Sequence, residues 1–198
     1  MATTEAVRGQ SLSYTLSATD VSSVDQAAGF TYSVNWNDGS AVQTVGPGAA
    51  SPSTVTHTFA TNGTYTISVT ATDKDGGTST ATLAVTISST AMEGNNLFVG
   101  GTTGNDHIII VPSPIKPASG HGKPTMGVEV LINGVSQGSF SPSGSIIVFA
   151  QAGNDNVQVP GGVKNNAFLF GGDGNDRLKG GGGNNVKDRA TNVGAHAG

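Results

Sequence analysis

The chain has no cysteine, so neither a disulfide framework nor a thiolate metal site is available to it. Only 11% of its 198 residues are charged, and of 13 acids only Glu5, Glu93 and Glu129 are glutamates. Long amphipathic helices draw heavily on Glu, Lys and Leu, so almost no helix is expected. No apolar run approaches the length that spans a bilayer as a helix. The nine basic residues are scattered, and the formal net charge is −4, which argues against a nucleic-acid surface. Met1–Glu5 lacks a charged segment followed by an apolar one, so no signal peptide is read there. An extracellular role would need export information elsewhere. Four histidines (His57, His107, His121, His196) show no metal-protease spacing, no serine sits in a nucleophile elbow, and no phosphate loop is present. No catalytic residue is assigned, and the chain reads as a non-enzyme.

What is abundant is glycine, 30 residues, with much Thr and Ser. That composition belongs to short strands and turns, so the expected class is all-β. From Gln10 onward, apolar and polar residues alternate in Ser11–Ala18, Phe30–Trp36, Ala41–Val45, Thr54–Phe59, Tyr65–Thr72 and Thr80–Ile87. Turns fall at Asn37-Asp38-Gly39, Asn62-Gly63 and Asp73-Lys74-Asp75-Gly76-Gly77. Six or seven strands in under 90 residues read as an antiparallel sandwich. Ser88–Asn96 is a polar bridge without pattern. The expected domains are therefore 1–90 and 91–198.

Within the first domain, Val34-Asn35-Trp36-Asn37-Asp38-Gly39-Ser40, His57-Thr58-Phe59 and Gly63-Thr64-Tyr65-Thr66-Ile67 resemble the PKD domain. Phe59 stands where that family's pattern has tyrosine. The resemblance covers roughly residues 8–88. It implies an immunoglobulin-like sandwich used outside the cell as spacer or adhesion module, without catalysis. Trp36 reads as core and His57 as a structural strand residue. Asp73 and Asp75, with Asp20, could contribute to a calcium site at one end of the sandwich, or could cap local amides in a solvated turn.

In the second half, Val128–Ile132 and Val135–Phe140 flank Asn133-Gly134, a hairpin signal. The stretch 112–126 is rich in proline and reads as an irregular loop. Gly-Asn-Asp occurs three times, ending at Asp106, Asp155 and Asp176, each time followed by one polar and one apolar residue. Around the last copy, Gly171-Gly172-Asp173-Gly174-Asn175-Asp176-Arg177-Leu178-Lys179 fits a glycine-rich nonapeptide, G-G-x-G-x-D-x-U-x, position for position. Six-residue turns can be laid at Ala150–Asp155, Gly161–Asn166, Gly171–Asp176 and Gly180–Asn185, their starts 11, 10 and 9 residues apart. Apolar strand positions follow at Val157, Val159, Phe168, Phe170, Leu178 and Val186. After Asn185 the pattern fails, with Lys187 in an apolar position, and 186–198 reads as a degenerate tail.

These repeats resemble the RTX, or haemolysin-type, calcium-binding repeat. The resemblance implies a short parallel β-roll, or β-helix-like domain, in which alternate turns stack on one side. On that geometry Asp155 and Asp176 share one edge, and the Asn-Asn pairs at 165–166 and 184–185 share the other. The implied cofactor is calcium, held between the turns by Asp155 and Asp176, with Gly153, Asn154, Asp173, Gly174 and Asn175 as turn contributors. Asp106 is either a third ligand turn or a capped bend. A set of glycine-rich turns that binds nothing is the alternative for the whole series.

The function expected from these residues is a non-catalytic, calcium-stabilised structural or adhesion module of an extracellular or cell-surface bacterial protein. Its partners would be itself, end to end in a fibre, or other surface proteins or polysaccharide. Two alternatives stand beside it: a carbohydrate-binding region of a larger secreted hydrolase, for which one Trp and three Tyr are few, and a tail for type I secretion.

Overall fold

The structure is a computed structural model and describes residues 4–49, 52–116 and 122–188. Among these the chain forms seventeen strands and one short helix. It divides into two compact units, one built mainly from residues 11–59 and 63–87 and the other from residue 88 onward with the short segments 6–10 and 60–62.

The first unit holds β2 (Ser11–Leu16), α1 (Ser23–Ala28), β3 (Phe30–Asn35), β4 (Gln43–Ala49), β5 (Ser53–Thr58), β6 (Gly63–Thr72) and nearly all of β7 (Thr78–Ser88), and β1 (Glu5–Val7) begins in it. One sheet runs β1-β7-β6-β3-β4, and β2 pairs with β5 in a second sheet of two strands. The period of two in the sequence is the reason for both: in β2, Leu12, Tyr14 and Leu16 are buried while Ser11, Ser13 and Thr15 are exposed. The core gathers these with Phe30, Tyr32, Val34, Trp36 and Phe59. Trp36, only 2% exposed, joins the sheets: Tyr14 lies 5.4 Å from it and His57 stacks on it at 4.3 Å. Helix α1 was not legible as a pattern, and it buries nothing; Ser22 caps it and Gly29, at φ 77°, ends it.

The second unit contains β8 (Thr90–Glu93), β9 (Asn96–Gly100), β10 (His107–Ile115), β11 (Thr125–Ile132), β12 (Val135–Phe140), β13 (Ile146–Phe149), β14 (Asn156–Gln158), β15 (Ala167–Phe170), β16 (Arg177–Lys179) and β17 (Asn185–Asp188). Its two sheets run β17-β15-β13-β9-β8 and β12-β11-β10-β14-β16. The successive strands β13 to β17 alternate between them, and every pairing among β9, β13, β15 and β17, and among β10, β14 and β16, is parallel. The chain therefore winds as a coil whose interior is a ladder of Leu97, Val99, Ile108, Ile110, Ile146, Val148, Val157, Leu169 and Leu178. Burying each such side chain contributes about 1.5–3 kcal/mol.

Three local expectations change. The bridge at 88–96 is not patternless: β8 returns on β9 through Gly94, at φ 58°. Part of the expected loop at 112–126 is strand. Pro112 and Pro114 continue β10 opposite β11, and they are tolerated because β14 covers the other side of β10 only from His107 to Ile109. Of the remainder, Lys116 and Gly122–Pro124 are irregular, and 117–121 lies outside the described residues. On β15 the buried positions are Ala167 and Leu169, whereas Phe168 and Phe170 point outward, where Phe170 stacks on Phe149 at 5.4 Å. The strand after Asn166 turns inward at its first residue, while the strand after Asp155 does so at its second, Val157. Val186, aligned with Phe168, is likewise outward and 50% exposed. Asn133-Gly134 forms the hairpin between β11 and β12 with both residues at positive φ, 53° and 79°. Residues 189–198 of the expected tail lie outside the described residues.

Candidate functional site

Each link from the first sheet of the coil to the second is a short turn ending in aspartate. Three such turns, at 101–106, 150–155 and 171–176, stand side by side, because His107, Asn156 and Arg177 occupy one register across β10, β14 and β16. The residue before each is an aspartate, so Asp106, Asp155 and Asp176 stack. The stack is hydrogen-bonded through its own backbone. The Asp106 N–H donates to Asp155 Oδ1 at 2.7 Å, and the Asp155 N–H donates to Asp176 Oδ1 at 2.9 Å. A parallel ladder runs one residue earlier: Asn154 N–H to Asn105 Oδ1 at 2.7 Å and Asn175 N–H to Asn154 Oδ1 at 2.8 Å.

The glycines make this spacing possible. Gly153 and Gly174 adopt φ of 119° and 129°, where side chains are strained, and a Cβ on Gly174 would collide with the Gly153 carbonyl. Asp173 is exposed; its backbone binds across the turns, accepting from Gly153 N and donating to Gln151 O, both at 2.9 Å.

The three carboxylates are not equivalent. Asp106 is 3% exposed and fully partnered: Thr102 donates from its amide and its hydroxyl, and the Asn133 side chain donates at 2.7 Å. It also lies within the field of Arg8, whose guanidinium is bonded to the Gly100 carbonyl at 2.9 Å. Asp155 is 2% exposed, and among the described residues one of its oxygens, Oδ2, has no hydrogen-bond partner; Oδ2 of Asp176 is buried and likewise without one. Where the first turn has Thr102, the later two have Gln151 and Gly172, neither of which supplies that hydroxyl. Burial pushes the Asp155 carboxyl up to about 6; the Asp106 amide counters this, and the charges of Asp176 and Asp106 add to the rise.

An unpartnered buried carboxylate oxygen calls for a proton, a donor or a cation. All the donors at this edge, two carboxylates and the turn carbonyls, are hard oxygens of the kind calcium takes. No cluster of three or more His, Asp or Glu side chains suited to a metal occurs among the described residues, so carbonyls would have to complete the shell.

The opposite edge differs. There Asn165 donates to the Pro142 and Gly144 carbonyls at 3.0 and 2.7 Å, Asn166 Oδ1 accepts from Asn184 N–H at 2.9 Å, and Asn185 donates to Gly181 and Gly183 at 3.0 and 2.7 Å.

In the first unit, Asp20 and Asp73 line one cavity, but both carboxylates are engaged locally. Asp73 Oδ1 accepts from Asp75 and Gly77 amides at 2.8 Å, and Asp20 Oδ1 from Ser22 at 2.7 Å. Asp75 pairs with Lys74 at 2.6 Å. Asp20 and Asp73 cap turns, Asp75 is in an ion pair, and none of the three takes part in the aspartate stack. Asp38 and His57 form a second polar pair, Oδ2 to Nε2 at 2.7 Å. Burial works against the Asp38 charge, yet hydrogen bonds from Ser40 and His57 outweigh it and hold the carboxyl below its ordinary value.

Thr102 and Asn133 were missed in the sequence. Asn133-Gly134 announces a hairpin, but nothing in it says that the amide will reach an aspartate 27 residues away.

No curated protein and no solved structure matches the chain. No helix among the described residues is long and apolar enough to cross a membrane. The family model of the PKD domain matches residues 1–87, which makes the first part of the chain similar to a non-catalytic immunoglobulin-like family found in extracellular and surface proteins.

Proposed function

We propose that the chain is a non-catalytic structural or adhesion module working outside the cell, in which the coil is a β-roll stabilised by calcium. The PKD match supports an extracellular structural or adhesion role in general. The single observation behind calcium is the pair of buried, unpartnered oxygens on Asp155 and Asp176 in adjacent stacked turns.

The ion would be held by those two carboxylates with carbonyls of the turns around Gly153 and Gly174. It would supply charge neutralisation and coordination to oxygens that otherwise repel each other. Because the unfolded chain cannot assemble the two turns, binding free energy becomes folding free energy. Asp106, already saturated by Thr102 and Asn133, closes the stack instead of extending it. A cation-locked coil in one chain with a spacer domain suits a subunit of an extracellular fibre or surface layer.

The test is a thermal melt with and without millimolar calcium on the parent, Asp155→Asn and Asp176→Asn chains. A rise in the midpoint that either substitution removes supports the reading. Equal melts with and without calcium would sink it and leave the turns purely structural.

A further inference from the structure

The two sheets of the first unit are unequal, five strands facing two. Among the described residues β2 pairs with β5 alone, so its other edge offers backbone N–H and C=O groups to no strand. Beside that edge, Thr15 and Leu16 of β2 face Ala81 and Leu83 of β7 across an open, mostly apolar cavity floored by Trp36 and Val69. A second cavity shares Val69 and Ala81 and extends the space along β6 and β7 to Ala71 and Ser79. Among the described residues no charged one lines either cavity. The hydroxyls of Tyr14 and Tyr32, whose residues line the first and second cavity respectively, are buried and have no hydrogen-bond partner among the described residues, although a buried tyrosine hydroxyl ordinarily finds one.

Natural sheets protect exposed edges with charges, prolines or bulges. β2, Ser11-Leu12-Ser13-Tyr14-Thr15-Leu16, has none of these, and its register with β5 is continuous. The occupant that matches an unprotected edge above a narrow apolar groove is another strand.

We propose that this groove accepts one extended, uncharged segment of a partner protein. The segment pairs with the free edge of β2 and sets small aliphatic side chains, at alternate positions, over Val69, Ala81 and Leu83. Its alternating geometry follows from strand pairing, and its lack of charge follows from the lining. A folded second copy fits poorly. The larger sheet continues beyond β6 into β7 and β1, so a copy bringing its own β2 to this edge would drive its larger sheet into β7. A lone strand meets no such obstacle.

Trp36 is the only tryptophan of the chain, so its emission reports on the groove. The probe is a soluble peptide with a Thr-Val-Thr-Val-Thr-Val centre and lysines at both ends. The control peptide carries proline in place of alternate threonines. The variant is Ala81→Arg, at an exposed position, whose unchanged melting confirms that the sandwich stands.

The expected result is a saturable change in Trp36 emission with the alternating peptide, at least about tenfold weaker binding by the variant, and no response to the proline peptide. No saturable change, or an equal response from parent and variant, overturns the proposal. Sedimentation of the full chain covers the remaining occupant: a dimer that Ala81→Arg dissociates would make the groove a self-association site and overturn the partner-strand assignment.

Discussion

The two edges of the coil are built from the same kind of turn, yet one ends in aspartate and the other in asparagine, and the consequences diverge. An amide carries donors as well as an acceptor. Asn165 and Asn185 each donate to two carbonyls, and Asn166 accepts an amide, so that edge satisfies itself. A carboxylate only accepts. Asp155 and Asp176 each receive one amide and are left with a buried oxygen that no hydrogen bond among the described residues reaches. The difference of one atom type turns a closed ladder into an open one, and an open ladder of carboxylates is where an external cation has something to do.

The strongest way to break this comparison is calcium itself. At about a hundredfold excess over its dissociation constant, a ligand specific for the folded state contributes about 2.7 kcal/mol, which calorimetry would read as a clear rise in the transition of the coil. The asparagine edge supplies the converse test. In Asn185→Asp, the two donated bonds to Gly181 and Gly183 are replaced by a carboxylate facing carbonyls. A loss of about 1–3 kcal/mol is expected, measured by denaturant unfolding, with no dependence on calcium.

Smaller still is Asp155→Asn without calcium. The amide oxygen keeps the bond from Asp106, and the buried charge and its repulsion from Asp176 disappear, so at neutral pH stability should equal or exceed that of the parent while the calcium response vanishes. A large loss in calcium-free buffer would instead show that the charge is needed for folding.

The last prediction concerns pH. Asp155 is raised from an ordinary 3.8 to about 6 in the fold, so between these values the folded state binds more protons than the unfolded state. Stability of the calcium-free chain should therefore decline as pH rises from about 4 to about 6, and calcium should flatten or reverse that slope. Asp38, held low by Ser40 and His57, acts oppositely, its contribution fading only as pH falls below the ordinary carboxylate range. Melts of the parent and of Asp155→Asn across pH 4–7 separate the two.

Local pattern made part of this arrangement readable. The recurrence of Gly-Asn-Asp marks the turns, and the stacking of alternate turns that the RTX resemblance implies puts Asp155 and Asp176 on one edge and the asparagine pairs on the other. The same periodicity misassigned Phe168 and Phe170, because it was carried across from the aspartate edge. The two edges differ by one residue in where the following strand turns inward, and a slip of one residue exchanges the faces of a strand. The role of Asp106 was not readable either. Its status depends on Thr102, four residues away, and on Asn133, which arrives only because β11 folds back on β10.

By itself, the sequence determined the chemistry of the chain: an all-β composition, an alternating first half, glycine turns that admit close backbone approach, and acceptor-only or donor-bearing side chains at defined turn positions. These are properties of single residues and of spacings under about ten, for which local sterics and periodicity suffice. Tertiary structure decided which turns became neighbours, which carboxylate oxygen was closed by a distant hydroxyl and amide, and which strand was left with a bare edge above a groove. Those outcomes depend on pairings between segments dozens of residues apart, and only the packed chain brings such segments together.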